Sequence, residues 1–227
     1  MGEHQALAIS VPGFEGRFCE DASQVGEHGD AVVLADGLGS AQLGSLGSHT
    51  VVNLVLGPFR DAFQSGWETE RLRNLFFQLW NTETHGAPEV ATTCLFAIAN
   101  NDRVLLGQVG DGLVLVVARE GSAIRLPTGR GPFGNETHAL PGGALYLLEL
   151  PLAQVRAVLL CTDGVADDLV PGTEDRLALA FEAMALAKGV DNLRVSIESW
   201  LENWPTPASR DDRSLGLLLP FYPTESP

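Results

Sequence analysis

The sequence predicts an α+β fold, a β-sandwich of two antiparallel sheets flanked by helices on both outer faces in α/β/β/α layers. Three observations carry this prediction. Short apolar or alternating runs are grouped apart from amphipathic stretches, so the βαβ alternation of a doubly wound sheet is missing. The amphipathic stretches come in two pairs, one on each side of the largest group of strands. The strands themselves are numerous enough for two sheets.

Taken in order, residues 5–11 read as a first strand, which Pro12-Gly13-Phe14-Glu15-Gly16 turns into a loop carrying Arg17-Phe18-Cys19-Glu20-Asp21. Ala31-Val32-Val33-Leu34-Ala35 is too short for a helix and rich in β-branched residues, so it reads as a buried strand. It stops on Asp36-Gly37-Leu38-Gly39, whose glycines let the backbone turn and approach a ligand closely. From Leu43 onward, Leu46, Thr50, Val51, Leu54 and Val55 follow helical spacing until Gly57-Pro58, which should end or kink the helix. Leu72, Leu75, Phe76, Leu79 and Trp80 mark a second helix.

Residues 90–99, 103–110, 113–118 and 123–126 then read as antiparallel strands separated by Asn100-Asn101-Asp102, Asp111-Gly112 and Glu120-Gly121. Asp111-Gly112 could simply close a hairpin. Residues 127–143 hold many Gly and Pro and no periodicity, which predicts an irregular flap. Strands resume at 146–150 and 155–162 and end on Asp163-Gly164. Two helices follow, one on Leu177, Phe181 and Met184, the other on Leu193, Ile197, Trp200, Leu201 and Trp204. A strand running to Leu219 follows Asp211-Asp212, and residues 221–227 read as a frayed tail. One domain over 1–227, with its core at about 5–220, is expected for 227 residues with 45% hydrophobic content.

The balance of 14 basic against 29 acidic residues gives a net charge of −15, which opposes contact with a nucleic-acid backbone or an anionic membrane. Cys19, Cys94 and Cys161 are odd in number and show no metal-finger spacing, so they read as reduced thiols. The start lacks the basic and apolar regions of a signal peptide, and no apolar run is long enough to span a bilayer. A cytoplasmic monomer is the expectation.

Acids recur where strands end or begin: Glu20-Asp21, Asp36, Asp111, Asp163 with Asp167 and Asp168, and Asp211-Asp212. Alone, each Asp-Gly pair reads as an ordinary turn. Their conjunction predicts one cleft if the strand tips converge. Several carboxylates in one site repel unless a cation neutralises them, and an all-oxygen set favours Mg²⁺ or Mn²⁺. Two such ions about 4 Å apart can activate water for in-line attack on a phosphoryl group, so phosphate-ester hydrolysis is the chemistry expected.

In this order the motifs resemble those of the metal-dependent protein serine/threonine phosphatases of the PPM class, often called type 2C. The matching stretches are Glu20-Asp21, Asp36-Gly37-Leu38-Gly39, Ala91-Thr92-Thr93, Val109-Gly110-Asp111-Gly112, Cys161-Thr162-Asp163-Gly164 and Asp211-Asp212-Arg213-Ser214. The resemblance implies two antiparallel sheets flanked by helices. It also implies a site for two Mn²⁺ or Mg²⁺ ions: Asp36, Asp163 and Asp211 for one, and Glu20, Asp36 and the Gly37 carbonyl for the other. Asp21 would hold water on an ion, and Asp111 with Asp163 is similar to a weaker third position. Arg17 would bind the phosphate, although it stands three residues before Glu20 where the family usually has four.

Leu38 replaces a histidine that some members use to protonate the leaving group, and Gly-Asp-Gly replaces the commoner Gly-Asp-Ser. With the short flap, these features resemble a small bacterial subgroup. The implied substrate is a phosphorylated protein, a target of a serine/threonine kinase. A pseudophosphatase acting as a binding module and a small-molecule phosphoesterase are the alternatives. Among the weaker candidates are His28, His49, His85 and His138, expected at the surface or at caps. The Trp200, Leu201, Trp204 stripe is expected to be core, and Gly129-Arg130-Gly131 a solvated turn.

Overall fold

Two five-stranded antiparallel sheets organise the computed structural model, which describes residues 4–13, 18–129, 137–204 and 211–220. One sheet has the order β1 (Gln5–Val11), β10 (Arg213–Leu219), β9 (Val155–Cys161), β6 (Leu113–Ala118), β7 (Ala123–Arg125). The other runs β2 (Ala22–Val25), β3 (Ala31–Ala35), β4 (Cys94–Ala99), β5 (Arg103–Val109), β8 (Tyr146–Pro151). The expected α+β sandwich is therefore the observed one.

Three apolar layers explain why its central strands read as continuous apolar runs. Val32, Leu34, Leu95, Ala97 and Leu106 meet Val114, Val116, Val158, Leu160 and Leu218 between the sheets. On the outer face of the second sheet, Val33, Phe96, Ile98 and Leu105 pack on Phe59, Phe63, Phe76 and Trp80. These come from the helical layer of α1 (Gly44–Leu54), α2 (Arg60–Gln64) and α3 (Thr69–Thr84), with Phe59 at the join of α1 and α2. On the other outer face, Leu115, Leu159 and Leu217 pack on Phe181, Leu193, Ile197 and Leu201, carried by α5 (Glu174–Lys188) and α6 (Val190–Glu202). A strand covered on both sides has no solvent face to make polar, and each large side chain buried this way contributes about 1.5–3 kcal/mol.

The connection at Asp111-Gly112 corrects the hairpin reading. β5 pairs with β4 and β8, whereas β6 pairs with β7 and β9 in the opposite sheet, so this turn crosses the sandwich. Gly110 and Gly112 take φ of +89° and +94°, the left-handed region open to glycine. β2 was not expected: its four residues, Ala-Ser-Gln-Val, are too few and too polar to show a pattern, and it forms by pairing with β3 from Ala22↔Ala35 to Val25↔Val32. A four-residue helix, α4 (Asp163–Ala166), also follows β9 directly.

At Gly57-Pro58 the chain kinks rather than stops. A π-helical turn over Val55–Phe59, with Gly57 at φ −98° and ψ −113°, joins α1 to α2. α2 is then pinned to the sheet, because Arg60 Nε and Gln64 Nε2 both donate to Asp30 Oδ2 at 2.9 Å. Among the described residues no helix is long and apolar enough to cross a membrane.

Gly107 faces Phe96 across the β4–β5 pair, and a Cβ there would overlap the Phe96 ring. That ring cannot move aside, since it is fully buried between Phe59 and Phe76. Gly107→Ala is therefore expected to lower unfolding stability by about 1–3 kcal/mol in urea titration, the usual cost of overpacking a core.

Candidate active site

The sequence motifs converge at one end of the sandwich, where β1, β3 and β9 finish and β2, β4 and β10 begin. Asp36 leaves β3 under tight backbone control. Its N–H donates to Thr93 Oγ1 at 2.9 Å, and its carbonyl accepts from Thr92 Oγ1 at 2.8 Å and from the Thr93 N–H at 2.9 Å. Leu38 N–H donates to the Ala91 carbonyl at 3.1 Å, so the Asp36–Leu38 turn is strapped to the start of β4. Gly37 must be glycine, because a Cβ would stand 2.5 Å from the Gly44 carbonyl carbon and 2.9 Å from the Glu20 carbonyl oxygen.

Asp21 enters from the neighbouring strand and is 5% exposed. Its Oδ2 accepts from Ser214 Oγ at 2.6 Å and Thr162 Oγ1 at 3.0 Å, which ties β2 to β9 and β10. Its Oδ1 is buried without a hydrogen-bond donor among the described residues. The carboxyls of Asp21 and Asp36 are close enough to interact side chain to side chain. Two carboxylates in contact cannot both hold a full charge cheaply.

Asp163 stands at the tip of β9, with Oδ1 accepting the Gly164 N–H at 2.8 Å, and its neighbours in the electrostatic sense are Asp111, Asp211, Asp21 and Asp167. Asp211 also acts on Asp36. Glu20 is bound through its backbone: the carbonyl accepts from Ser48 Oγ at 2.6 Å, and the N–H donates to Asp212 Oδ2 at 2.7 Å. Asp111 Oδ2 accepts from Thr137 Oγ1 at 2.8 Å. Asp168 is turned to a structural task, since its Oδ2 accepts from Trp204 Nε1 at 2.8 Å. Arg17, Arg130, the middle of the flap and the 221–227 tail lie outside the described residues. His28, His49, His85 and His138 are exposed, and His85 caps α3 in the left-handed conformation.

This crowding shows in the acidities. Burial, then the charges of Asp21 and Asp163, hold Asp36 well above the usual carboxylate range. Burial and the surrounding aspartates push Asp163 up to about 7. Burial raises Asp21 to about 6 against the pull of its hydroxyl donors. Burial, with the charges of Asp21 and Asp212, pushes the half-buried Cys19 thiol to about 12, so it stays protonated and unreactive at neutral pH. Cys94 and Cys161 are buried, and all three cysteines are free.

The donor set fits a hard cation. Its chemistry is carboxylate oxygen throughout, and the orphaned Asp21 Oδ1 and the raised pKa values of Asp36 and Asp163 mark sites where the protein supplies too little positive charge to favour the carboxylates. As the side chains stand, no three acidic, histidine or cysteine residues among those described close into a ligand cluster.

Residues 14–202 match the family model described as protein phosphatase 2C. The chain belongs to the protein phosphatase 2C family. No curated protein sequence matches it. Among solved structures, the serine/threonine phosphatase PstP/Ppp of Mycobacterium tuberculosis is similar at TM-score 0.70 with 17% identity, covering 96% of this chain and 98% of that one. Serine/threonine phosphatase Stp1 of Staphylococcus aureus is similar at TM-score 0.66 with 18% identity, covering 94% of each chain. The PstP catalytic domain in complex with two manganese ions is similar at TM-score 0.67 with 20% identity, covering 96% of this chain and 98% of that one. At these identities the likenesses establish the protein phosphatase 2C fold.

Hydroxyl side chains are what the sequence reading of this family member passed over. Thr92, Thr93, Thr162 and Ser214 stood inside recognised motifs without a task, and the available signal was a hydroxyl at an otherwise apolar strand tip.

Folding raises the Asp163 pKa from its ordinary 3.8 to about 7, so its native carboxylate is disfavoured and the cost grows as pH rises through that interval. Below pH 4 both folded and unfolded forms are protonated and the cost vanishes. In metal-free protein, Asp163→Asn is therefore expected to raise unfolding stability by about 2 kcal/mol at pH 8, half the full linkage value because the group is partly solvated, and to change little at pH 4. Urea titrations at the two pH values measure this.

Proposed function

We propose that this chain is a metal-dependent phosphatase that hydrolyses phosphoserine and phosphothreonine in a partner protein. The observation that carries the proposal is the buried contact of Asp21 with Asp36, with Asp163 and Asp211 acting on the same group. Asp36, Asp163 and Asp211 would hold one Mn²⁺ or Mg²⁺, and Glu20, Asp36 and the Gly37 carbonyl the other. Asp111 with Asp163 would offer a third, weaker position. Bound there, two ions would supply an activated water and positive charge against the phosphoryl oxygens.

The protein's own part is preorganisation. Thr92 and Thr93 fix the carbonyl and N–H of Asp36, so its carboxylate is aimed before any ion arrives. Thr162 and Ser214 both donate to one oxygen of Asp21 and leave the other unengaged, which suits the role of orienting a water assigned to it. Leu38 has no proton to give, and its N–H is committed to Ala91, so protonation of the leaving oxygen is assigned to water. Arg17 is assigned the substrate phosphate.

A net charge of −15 disfavours nucleic acid and anionic membranes as substrates or surfaces; the target assigned is a protein phosphorylated by a serine/threonine kinase. The pairing of β1 with β10 supports reading the chain as one phosphatase-like domain, and we assign it as a cytoplasmic monomer.

Asp36→Asn and Asp163→Ala should each lower Mn²⁺-dependent kcat/KM on a phosphopeptide and on a small aryl phosphate by at least about 100-fold, since each removes a ligand shared by the assembly. Unchanged activity in either variant overturns the site assignment. A wild-type protein that binds Mn²⁺ without turnover would instead be a binding module.

A further inference from the structure

Asp212 lies beside the candidate ligand Asp211, but its carboxylate is engaged as a clasp. It is 3% exposed, and each carboxylate oxygen is already used by a backbone donor: Oδ1 by the Gly13 N–H at 2.8 Å, Oδ2 by the Glu20 N–H at 2.7 Å. The two donors come from the exit of β1 and the approach to β2, and both lie about two hundred residues from Asp212 in sequence (199 and 192). Neighbouring residues tighten the same joint. Arg213 Nη1 donates to the Gly13 carbonyl at 3.2 Å, and Asp212 N–H donates to Asp211 Oδ1 at 3.0 Å.

From this geometry we propose that Asp212 is a positioning residue for the candidate metal ligand Glu20, locking its backbone to the segment that carries Asp211 into β10. The proposal rests on the metal-site reading above and adds a residue to which that reading gives no task. Two N–H groups converging on one carboxylate require an acceptor on both arms. An asparagine can serve only one arm, because its amide nitrogen donates and would face the other N–H. The single-atom change therefore separates the clasp from the volume of the side chain. Glu20 is additionally held by Ser48 at its carbonyl, so losing one arm loosens the segment without releasing it.

The test uses the full chain and Asp212→Asn, with Asp212→Ala in reserve as the variant that removes both arms. In metal-free protein, amide exchange followed by NMR at Gly13 or Glu20 should speed up at least about tenfold in Asp212→Asn, while Val158 and Leu160 in β9 keep wild-type protection. Calorimetric titration with Mn²⁺ should show affinity about tenfold weaker with the number of sites unchanged, and kcat at saturating Mn²⁺ should stay within about twofold of wild type. Unaltered exchange at both amides overturns the clasp. Loss of a binding site, rather than of affinity, also overturns it, because Asp212 would then be a ligand. If wild type binds no Mn²⁺, the metal-site reading fails and with it the proposed role toward Glu20, while the exchange comparison still decides whether the clasp exists.

Discussion

Negative charge crowded around one buried carboxylate, Asp21, is the condition that the rest of this molecule is built to sustain. Four aspartates from four separated stretches, Asp21, Asp36, Asp163 and Asp211, feel one another at one end of the sandwich. Left to themselves such groups would push the strand tips apart. They stay together because the tips belong to strands buried on both faces, whose apolar contacts are far more numerous than the repelling pairs. Hydroxyls finish the task locally: Thr162 and Ser214 donate to Asp21, and Thr92 and Thr93 hold the backbone of Asp36.

Much of this was legible in the amino-acid order, for physical reasons that differ between elements. β3 announced itself because a doubly covered strand must be apolar throughout, and α3 because Leu72, Phe76 and Trp80 have to point the same way. The acids were visible as residues but their meeting was not, since convergence is a property of topology. β2 escaped because its pairing with β3, rather than its own composition, makes it a strand. The crossing at Asp111-Gly112 escaped for a related reason: a glycine-bearing turn between two apolar strands looks the same whether those strands pair or lie in facing sheets. Asp212 was read as part of a motif, and only its two backbone donors distinguish it from the ligand candidate beside it.

The four residues from Asp211 to Ser214 gather an unusual share of the tasks. Asp211 adds charge to the cluster, Asp212 binds the β1 exit and Glu20, Arg213 returns to Gly13, and Ser214 reaches Asp21. Ser214 also shares a 2.6 Å hydrogen bond with Ser10, which joins β10 to β1 at the same level. Rigidity at the site is thus supplied by strand register. A slip of one residue between β1 and β10 would turn every one of these side chains to the opposite face.

The distance in sequence between Glu20 and Asp212 has a consequence for how the molecule comes into being. The two are 192 residues apart, and β10 is inserted between β1 and β9 rather than added at an edge. During synthesis β1 emerges early and must wait, its pairing edge open, until β10 leaves the ribosome. The charged end of the sandwich cannot be assembled piecemeal in that interval, because the strand that ties it together is missing. Assembly of the acidic cluster and completion of the sheet therefore arrive in the same folding event, and a partly made chain lacks the strand that brings Asp211 to the other three aspartates.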